Sequence, residues 1–183
     1  TAPRGVGVEA GPTLGGRGLV VRRAREDDVD ALLEILAEPS VARWFGIPYS
    51  ADDLRAKLAG AGGSLLLAIE VDGETAGGIE VSEETDPEYR HAGIDLFLSE
   101  RCQGRGLGPE AIRLVAGYLF DVRGHHRLTI DPAASNHRAI RAYEKAGFRP
   151  VGVMRQYELG ANGRFHDGLL MDLLRADLAD PAS

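Results

Sequence analysis

Two apolar segments near the middle of the sequence, residues 64–71 and 74–83, are joined by the dipeptide Asp72-Gly73. Aspartate followed by glycine between two such segments is typical of the tight turn of a β-hairpin. The sequence on either side of this hairpin alternates between strand-like and helix-like segments. The other predicted strands are 18–22, 92–98, 126–130, 151–157 and 165–174, and the predicted helices are 26–37, 50–59, 109–122 and 136–146. This order of elements predicts a mixed α/β domain.

The chain contains 183 residues, a length typical of a single domain that buries its own core. Its first 17 residues are rich in glycine and offer few side chains to bury. We therefore expect a flexible N-terminal arm over residues 1–17 and one domain over residues 18–178.

The balance of charge and the use of cysteine exclude several classes of protein. With 28 acidic against 21 basic residues, the net charge is -7, which disfavours nucleic acid and favours cationic partners. No apolar run approaches the ~18 residues of a membrane helix, and the N-terminal arm lacks the apolar region of a signal peptide, so we expect a cytoplasmic protein without a membrane partner. A lone cysteine, Cys102, is incompatible with a disulfide scaffold or a multi-cysteine zinc site, and we expect no metal.

A glycine-rich loop, residues 103–108, lies between a predicted strand and a predicted helix. Glycines let backbone N–H groups approach an anion closely, and the start of a helix adds a favourable field. Arg101 and Arg105 add positive charge beside the loop. The pattern predicts a phosphate cradle, although a tight strand-to-helix turn would use the same glycines. It is not a Walker loop, because no Gly-Lys-Ser/Thr follows.

A second motif, Asn136 to Phe148, follows about 30 residues later. Gln103-x-x-Gly106-x-Gly108 together with Asn-x-x-Ala-x-x-x-Tyr-x-x-x-Gly-Phe resembles the two signatures of the GNAT superfamily of acyl-CoA-dependent N-acyltransferases. The resemblance covers residues 18–175. It implies a mixed, mostly antiparallel central sheet flanked by about four helices, with acetyl-CoA as cosubstrate.

The resemblance also implies which residues hold acetyl-CoA. The loop amides would hold the pyrophosphate, the strand before the loop would pair with the pantetheine arm, and Asn136 would hydrogen-bond that arm. Asn136 is also suited to cap its helix, and it can do both. The implied cosubstrate-binding residues are Leu96, Phe97, Leu98, Gln103, Gly104, Arg105, Gly106, Leu107, Gly108, Asn136 and Tyr143.

Tyr143 is the implied acid that protonates the departing CoA thiolate. A phenol has a pKa near ~10 and a thiol near ~8.5, so only a well-placed tyrosine serves this purpose. Spacing alone favours a structural role for Tyr143 on the packed face of its helix, and the family resemblance reverses that preference.

The acceptor amine must lose a proton before it attacks, and Asp95 and Asp131 are the base candidates. Asp95 is an acid within an otherwise apolar strand, and Asp131 ends the next strand. Internal hydrogen bonding for Asp95 and turn capping for Asp131 are the structural alternatives. The histidines His125, His126 and His166 rank below these acids, because lone histidines are more often structural.

An acidic run, residues 80–88, is either a solvated loop or part of a cleft for a polycationic acceptor, and a closer resemblance indicates the acceptor. Glu83-Glu84-Thr85-Asp86-Pro87, Gly93-Ile94-Asp95 and the segment from Asp131 to Phe148 look like aminoglycoside 6′-N-acetyltransferases. In that group two aspartates contact the substrate amines, and here Asp131 would be the better base candidate. The acceptor-binding residues implied are Trp44, Glu83, Glu84, Asp86, Asp95 and Asp131.

Two other functions stay open. One is acetylation of a protein N-terminus, a lysine-type amine or a siderophore precursor, which the end of the chain, residues 169–173, favours. The other is a catalytically idle acyl-CoA-binding module, which the intact Asn136 and Tyr143 argue against. We expect direct attack by the amine rather than an acyl-Cys102 intermediate, because no local base accompanies Cys102. Many relatives dimerise through late strands, so a homodimer is an open expectation.

Overall fold

The computed structural model describes residues 11–179, which form a single eight-stranded sheet with helices on both faces. The strands are β1 (Thr13–Gly16), β2 (Leu19–Arg23), β3 (Ser64–Val71), β4 (Glu74–Glu84), β5 (His91–Leu98), β6 (Arg127–Ile130), β7 (Arg149–Leu159) and β8 (Phe165–Leu174). The helices are α1 (Val29–Ala37), α2 (Pro39–Ala42), α3 (Ala51–Leu58), α4 (Leu107–Asp121) and α5 (His137–Ala146).

The strands lie in the order β1-β2-β3-β4-β5-β6-β8-β7. Every neighbouring pair is antiparallel except β5 and β6, which are parallel. The prediction of a mixed, mostly antiparallel sheet is therefore confirmed. None of the helices within residues 11–179 combines the length and apolar character required to cross a membrane.

The central hairpin folds as its turn residues predict. Asp72 and Gly73 both have positive φ angles, of 54° and 81°, as a two-residue turn of type I′ requires. Val71 and Glu74 then face each other at the start of the β3–β4 ladder.

The prediction of a flexible arm is wrong for part of residues 1–17. Residues 1–10 lie outside the described part of the chain, whereas Thr13–Gly16 forms β1 and pairs with β2 through four residue pairs. A Cβ at Gly16 would lie 2.8 Å from the side chain of Leu114, so the strand approaches α4 closely where glycine leaves room. The glycines that suggested an arm therefore allow a strand to pack under a helix.

A short fifth helix, α2, occupies the predicted break after α1. Pro39 stands at its first position, where the missing N–H costs nothing, so the proline starts a helix as well as ending one. Helix α3 begins at a reciprocal cap in which Ser50 accepts from the Asp53 backbone and the Asp53 carboxylate accepts from Ser50.

The core has two parts, one on each face of the sheet. Along β3, Leu67 and Ile69 point to the face that packs against α4 and α5, whereas Leu66 and Ala68 point to the face that packs against α1 and α3. Alternation of side chains along a strand produces this division. The sheet is thus buried on both faces over its central strands.

The parallel pair β5–β6 is short. Only Ala92 with Leu128 and Gly93 with Thr129 are paired, and beyond them the strands separate. The separation leaves the edge of β5 from residue 94 to residue 98 without a strand partner on that side. A cleft therefore opens within the sheet between the C-terminal ends of two parallel strands.

Candidate active site

The cleft is the entrance to a cavity of 680 Å³ that contains most of the residues singled out in the sequence. It brings together the end of β5, the glycine loop, the end of β6 and the first turns of α5. The predicted site residues that line it are Trp44, Asp95, Leu96, Phe97, Leu98, Gln103, Gly104, Gly106, Gly108, Asp131, Asn136 and Tyr143.

The glycine loop presents unused donors to this cavity. Gly104 and Gly106 have φ angles of 77° and 78°, a conformation that strongly favours glycine, and Gly106 precedes the first residue of α4. Among the described residues, the backbone N–H groups of 104–108 donate to no protein atom. Five free donors at the start of a 15-residue helix fit a pyrophosphate.

Gln103 fixes the loop to its neighbours. Its amide nitrogen donates to the carbonyl of Leu98 at 2.8 Å, and its amide oxygen accepts from Arg138 at 2.9 Å. Arg138, Arg141 and Lys145 line the same end of the cavity and supply the positive charge that phosphates require.

Two residues of the predicted loop do not line the cavity. Leu107, the first residue of α4, is buried in the core, and the side chain of Arg105 is exposed. Leu107 therefore offers only its backbone N–H to a ligand.

The edge of β5 and Asn136 are placed to hold an extended arm. Leu96, Phe97 and Leu98 line the cavity along the unpaired edge of β5, where backbone groups can accept a further strand-like ligand. The Asn136 side-chain oxygen accepts from Ala139 N at 3.1 Å, so Asn136 is the cap of α5. Its amide group still borders the cavity.

Tyr143 lies beneath the cleft and is 6% exposed. Its hydroxyl makes no hydrogen bond within residues 11–179, although its ring packs on Phe148. Burial, reinforced by the charges of Asp95 and Asp131, raises the pKa of Tyr143 above its usual range. Tyr143 is therefore a neutral proton donor at physiological pH.

Asp95 projects into the cavity opposite Glu80, its partner residue on β4. The carboxyl is open to the cavity, yet it lies deep among protein atoms. This desolvation, together with the charges of Glu80 and Asp131, raises the pKa of Asp95 to about 6. The Glu80 carboxylate is itself bound by Lys57 at 2.5 and 2.6 Å.

Asp131 has a partner that the sequence analysis missed. The hydroxyl of Tyr157, on β7, donates to Asp131 Oδ2 at 2.5 Å. Glu158 also lines the cavity, and burial raises its pKa, as does the charge of Asp131. Tyr157 ends the predicted strand 151–157 and Glu158 follows it, and no motif in this segment indicates a site residue.

These acids form a compact group that we call the acidic cluster: Glu80, Asp95, Asp131 and Glu158. The charges of Glu80, Asp131 and Glu158 all raise the pKa of Asp95, so the four carboxyl groups lie close enough to repel one another. Mutually repelling carboxylates in a cavity are stabilised by a cationic ligand. Because Glu80 is already paired with Lys57, the other three members, Asp95, Asp131 and Glu158, give one end of the cavity the chemistry to bind ammonium groups.

The remaining predicted acids are placed differently. Glu83 is bound by Arg123 at 2.7 Å and by His125 at 2.8 Å, and these hydrogen bonds lower its pKa to about 2. Glu84 and Glu83 border a second cavity of 370 Å³ that shares Asp95 and Asp131 with the first. Asp86 borders neither cavity and accepts from the backbone of its own loop.

Trp44 lines the cavity from the segment that follows α2. The segment that carries it touches β7 so closely that a Cβ at Gly46 would lie 1.9 Å from the carbonyl oxygen of Leu159. The Arg43 guanidinium lies 4.9 Å from the centre of the Trp44 ring. The contact at Gly46 joins the Trp44 segment to β7, the strand that carries Tyr157 and Glu158.

Cys102, His125 and His126 border neither cavity, whereas His166 lies beside Glu158 of the acidic cluster. Cys102 is buried and lines neither cavity, which agrees with direct attack. His126 is exposed, and His166 faces Glu158 across the β7–β8 ladder. No group of three or more histidine, cysteine, aspartate or glutamate side chains that could hold a metal ion occurs within the described residues.

Comparison with known proteins assigns the fold and the chemistry to one family. The sequence model described as "Acetyltransferase (GNAT) domain" matches residues 18–149. Spermidine N(1)-acetyltransferase of Escherichia coli (strain K12) is 30% identical over 156 residues, covering 82% of this chain and 83% of that protein. Aminoglycoside N(6′)-acetyltransferase type 1 of Klebsiella pneumoniae is 45% identical over 73 residues, or 39% of this chain and 35% of that protein.

The fold has matching solved structures. The structure of AAC(6′)-Ib in complex with paromomycin and acetyl-CoA is 25% identical, with a TM-score of 0.73, over 88% of this chain and 96% of that one. The family model covers more than half of the chain, and the free amides of residues 104–108 fit the cosubstrate held in that complex. The chain is therefore an N-acetyltransferase that belongs to the GNAT family.

Proposed function

We propose that this chain transfers the acetyl group of acetyl-CoA directly to a primary amine of an aminoglycoside, at the 6′-amine, and so confers resistance to the antibiotic. The observation that carries the proposal is the acidic cluster beside Tyr143. An aminoglycoside is a polycation, and the cluster supplies several carboxylates around the point where an amine must reach the thioester. The similarity to aminoglycoside acetyltransferases over 73 residues supports the same acceptor.

The described residues suggest how the reaction proceeds. The amides of 104–108 and the edge of β5 hold acetyl-CoA with its thioester near Tyr143, and the acidic cluster holds the ammonium group. Asp95 or Asp131 accepts a proton from the ammonium, and the free amine attacks the thioester carbonyl carbon. The carbon–sulfur bond breaks, and the Tyr143 hydroxyl protonates the departing thiolate. The second proton that the amine nitrogen loses on becoming an amide returns to the Tyr143 phenolate.

A linear polyamine is the second candidate acceptor. The similarity to spermidine N(1)-acetyltransferase extends over 82% of this chain, far more than the aminoglycoside similarity. A polyamine carries the same ammonium groups, so the acidic cluster suits it equally. Acceptors with a single ammonium, such as a protein N-terminus or a lysine side chain, make less use of a cavity lined by Asp95, Asp131 and Glu158.

The test is acetyl-CoA turnover, followed as release of the CoA thiol, with four acceptors at equal concentration. These are kanamycin, an aminoglycoside with a hydroxyl in place of the 6′-amine, spermidine and a short peptide with a free N-terminus. Turnover of kanamycin without turnover of the 6′-hydroxyl compound is the expected result. Equal turnover of both aminoglycosides would move transfer to another amine, and preference for spermidine would establish the second candidate.

Failure of all four acceptors would overturn both candidates if acetyl-CoA still binds. Tyr143→Phe provides the internal check, because it removes one hydroxyl from beneath the cleft. The matched control is Tyr89→Phe, since Tyr89 is 70% exposed and borders neither cavity. An equal loss of turnover in Tyr143→Phe and Tyr89→Phe would show that the loss does not depend on the position of Tyr143 beneath the cleft.

A further inference from the structure

The strand β7 is irregular where it passes Asp131. Met154 faces Gly168 and Glu158 faces His166. Between these two pairs β7 has three residues, whereas β8 has one. The extra residues form a bulge, and Gln156 within it has a φ of 48°, a conformation that residues other than glycine rarely adopt. Strained backbone of this kind persists only where surrounding contacts maintain it.

Two residues of β8 maintain the bulge. The backbone N–H of Gln156 donates to Asp167 Oδ1 at 2.8 Å. A Cβ at Gly168 would lie 2.8 Å from Cδ1 of Tyr157, so the absence of a side chain there makes room for the tyrosine ring. The bulge, the carboxylate of Asp167 and the glycine together turn Tyr157 towards Asp131.

The loop that carries Asp131 is attached to the same part of β8. Ala134 N donates to the carbonyl of Asp167 at 2.8 Å, and Leu169 N donates to the carbonyl of Pro132 at 2.8 Å. The backbones on both sides of the Tyr157–Asp131 hydrogen bond are thus anchored to one three-residue stretch. The two side chains are held in place before any acceptor arrives.

We propose that Tyr157 is a positioning residue that holds the carboxylate of Asp131 for the acceptor's ammonium group. The inference rests on the proposed function, because it requires an acceptor that carries an ammonium. Tyr157 occupies Oδ2, and Oδ1 accepts no hydrogen bond within residues 11–179, so it is available to the ligand. This arrangement assigns Asp131 to binding and leaves Asp95 as the carboxylate that accepts the proton.

The hydroxyl remains a donor throughout the working pH range. Its hydrogen bond to Asp131, together with burial and neighbouring charge, raises the pKa of Tyr157 to about 12. The ring lines the cavity and is 49% exposed, so it contributes little to the buried core. A purely structural tyrosine would not need a strained bulge to reach a carboxylate at the mouth of a cavity.

The experiment separates acceptor binding from the chemical step. Steady-state kinetics are measured for Tyr157→Phe, which keeps the ring, with kanamycin and with spermidine. We expect the acceptor KM to rise about tenfold, the loss typical of a hydrogen bond to a charged group, while kcat changes less than threefold. The KM for acetyl-CoA should stay within about twofold, and Tyr89→Phe should match the wild type.

Two variants of Asp167 test the bulge without touching Tyr157. Asp167→Ala removes the acceptor of the Gln156 N–H and should raise the acceptor KM as Tyr157→Phe does. Asp167→Asn keeps a side-chain oxygen at that place and should restore wild-type kinetics. A role confined to overall stability would instead lower the fraction of active enzyme, and hence kcat, in all three variants.

The outcomes distinguish this inference from the proposed function. If the wild type acetylates an amine and Tyr157→Phe has the same acceptor KM, the inference is wrong and the proposed function stands. A fall in kcat at constant acceptor KM also overturns it, since Tyr157 would then serve the chemical step. If the wild type neither acetylates nor binds these amines, the proposed function falls, and the inference falls with it.

Discussion

The raised pKa of Asp95 predicts how acceptor use depends on pH. Asp95 lies in the cavity beside Glu80 and Asp131, and its pKa is raised to about 6 by desolvation and by those charges. Because the shift is upward, the carboxylate takes up its proton as the pH falls through 6. The protonated form carries no charge to hold an ammonium and cannot accept its proton.

The size of the effect follows from the ionised fraction. With a pKa of about 6, roughly nine-tenths of Asp95 is ionised at pH 7 and about a quarter at pH 5.5, whereas an ordinary aspartate would stay almost fully ionised at both. We therefore expect kcat/KM for the acceptor to fall about fourfold between pH 7 and 5.5 from this group alone. The KM for acetyl-CoA, which binds at the other end of the cavity, should not change with the ionisation of Asp95.

The assay is release of the CoA thiol at closely spaced pH values, for the wild type and for Asp95→Asn. The variant should be less active throughout and should lack the step near pH 6. Titration of the acceptor's own amine contributes a slope common to both proteins, so the difference between the profiles isolates Asp95. Asp121→Asn is the matched control, because Asp121 pairs with Arg175 on the surface and should retain the step. Parallel profiles for the wild type and Asp95→Asn would refute the reasoning.

Three further predictions concern other parts of the chain. Tyr143→Phe should lower kcat about 100-fold, within the range for loss of a general acid, and an unchanged kcat would exclude Tyr143 as that acid. Cys102→Ala should keep most of the activity because Cys102 is buried away from both cavities; a loss above about tenfold with acetyl-CoA binding intact would indicate an acyl-cysteine route. Asp28→Asn tests stability. Burial alone would raise the pKa of Asp28, but hydrogen bonds from Arg22 and Thr75 lower it to about 2. The ionised carboxylate therefore stabilises the fold fully above the ordinary pKa near ~4, and this stabilisation is lost as the pH falls through 2. Urea unfolding at pH 7 should show a loss of about 2 kcal/mol for this variant, and a midpoint equal to that of the wild type would contradict it.

Local patterns predicted the parts of the fold that depend on local chemistry. The Asp72-Gly73 turn, the glycine loop and the helix that begins after Asn136 all occur where their residues predict them. These features depend on φ preferences and capping groups that lie within a few residues of one another. The same reasoning misjudged Thr13–Gly16, because a glycine-rich segment can become a strand when a helix approaches it closely.

The candidate site depended on register as well as on motifs. The meeting of Asp95 with Glu80 follows from the pairing of β4 with β5, which the sequence does not specify beyond the hairpin. Tyr157 reaches Asp131 only because β7 contains extra residues relative to β8, and no local pattern marks that bulge. Glu83 carries the carboxylate that an acceptor amine needs, but its position in the fold pairs it with Arg123 and His125.

The short pairing between β5 and β6 divides the sheet into two parts that are joined at one place. Strands β1 to β5 lie on one side of the cleft and strands β6 to β8 lie on the other. Within the sheet, only two residue pairs between β5 and β6 join the two sides. Ala92 and Leu128, which make one of these pairs, are fully buried and border neither cavity. Interiors are close-packed, so we expect a change of side-chain volume at Ala92 or Leu128 to displace β5 relative to β6. We therefore expect substitutions at these two residues to change the width of the cleft, although neither side chain borders a cavity.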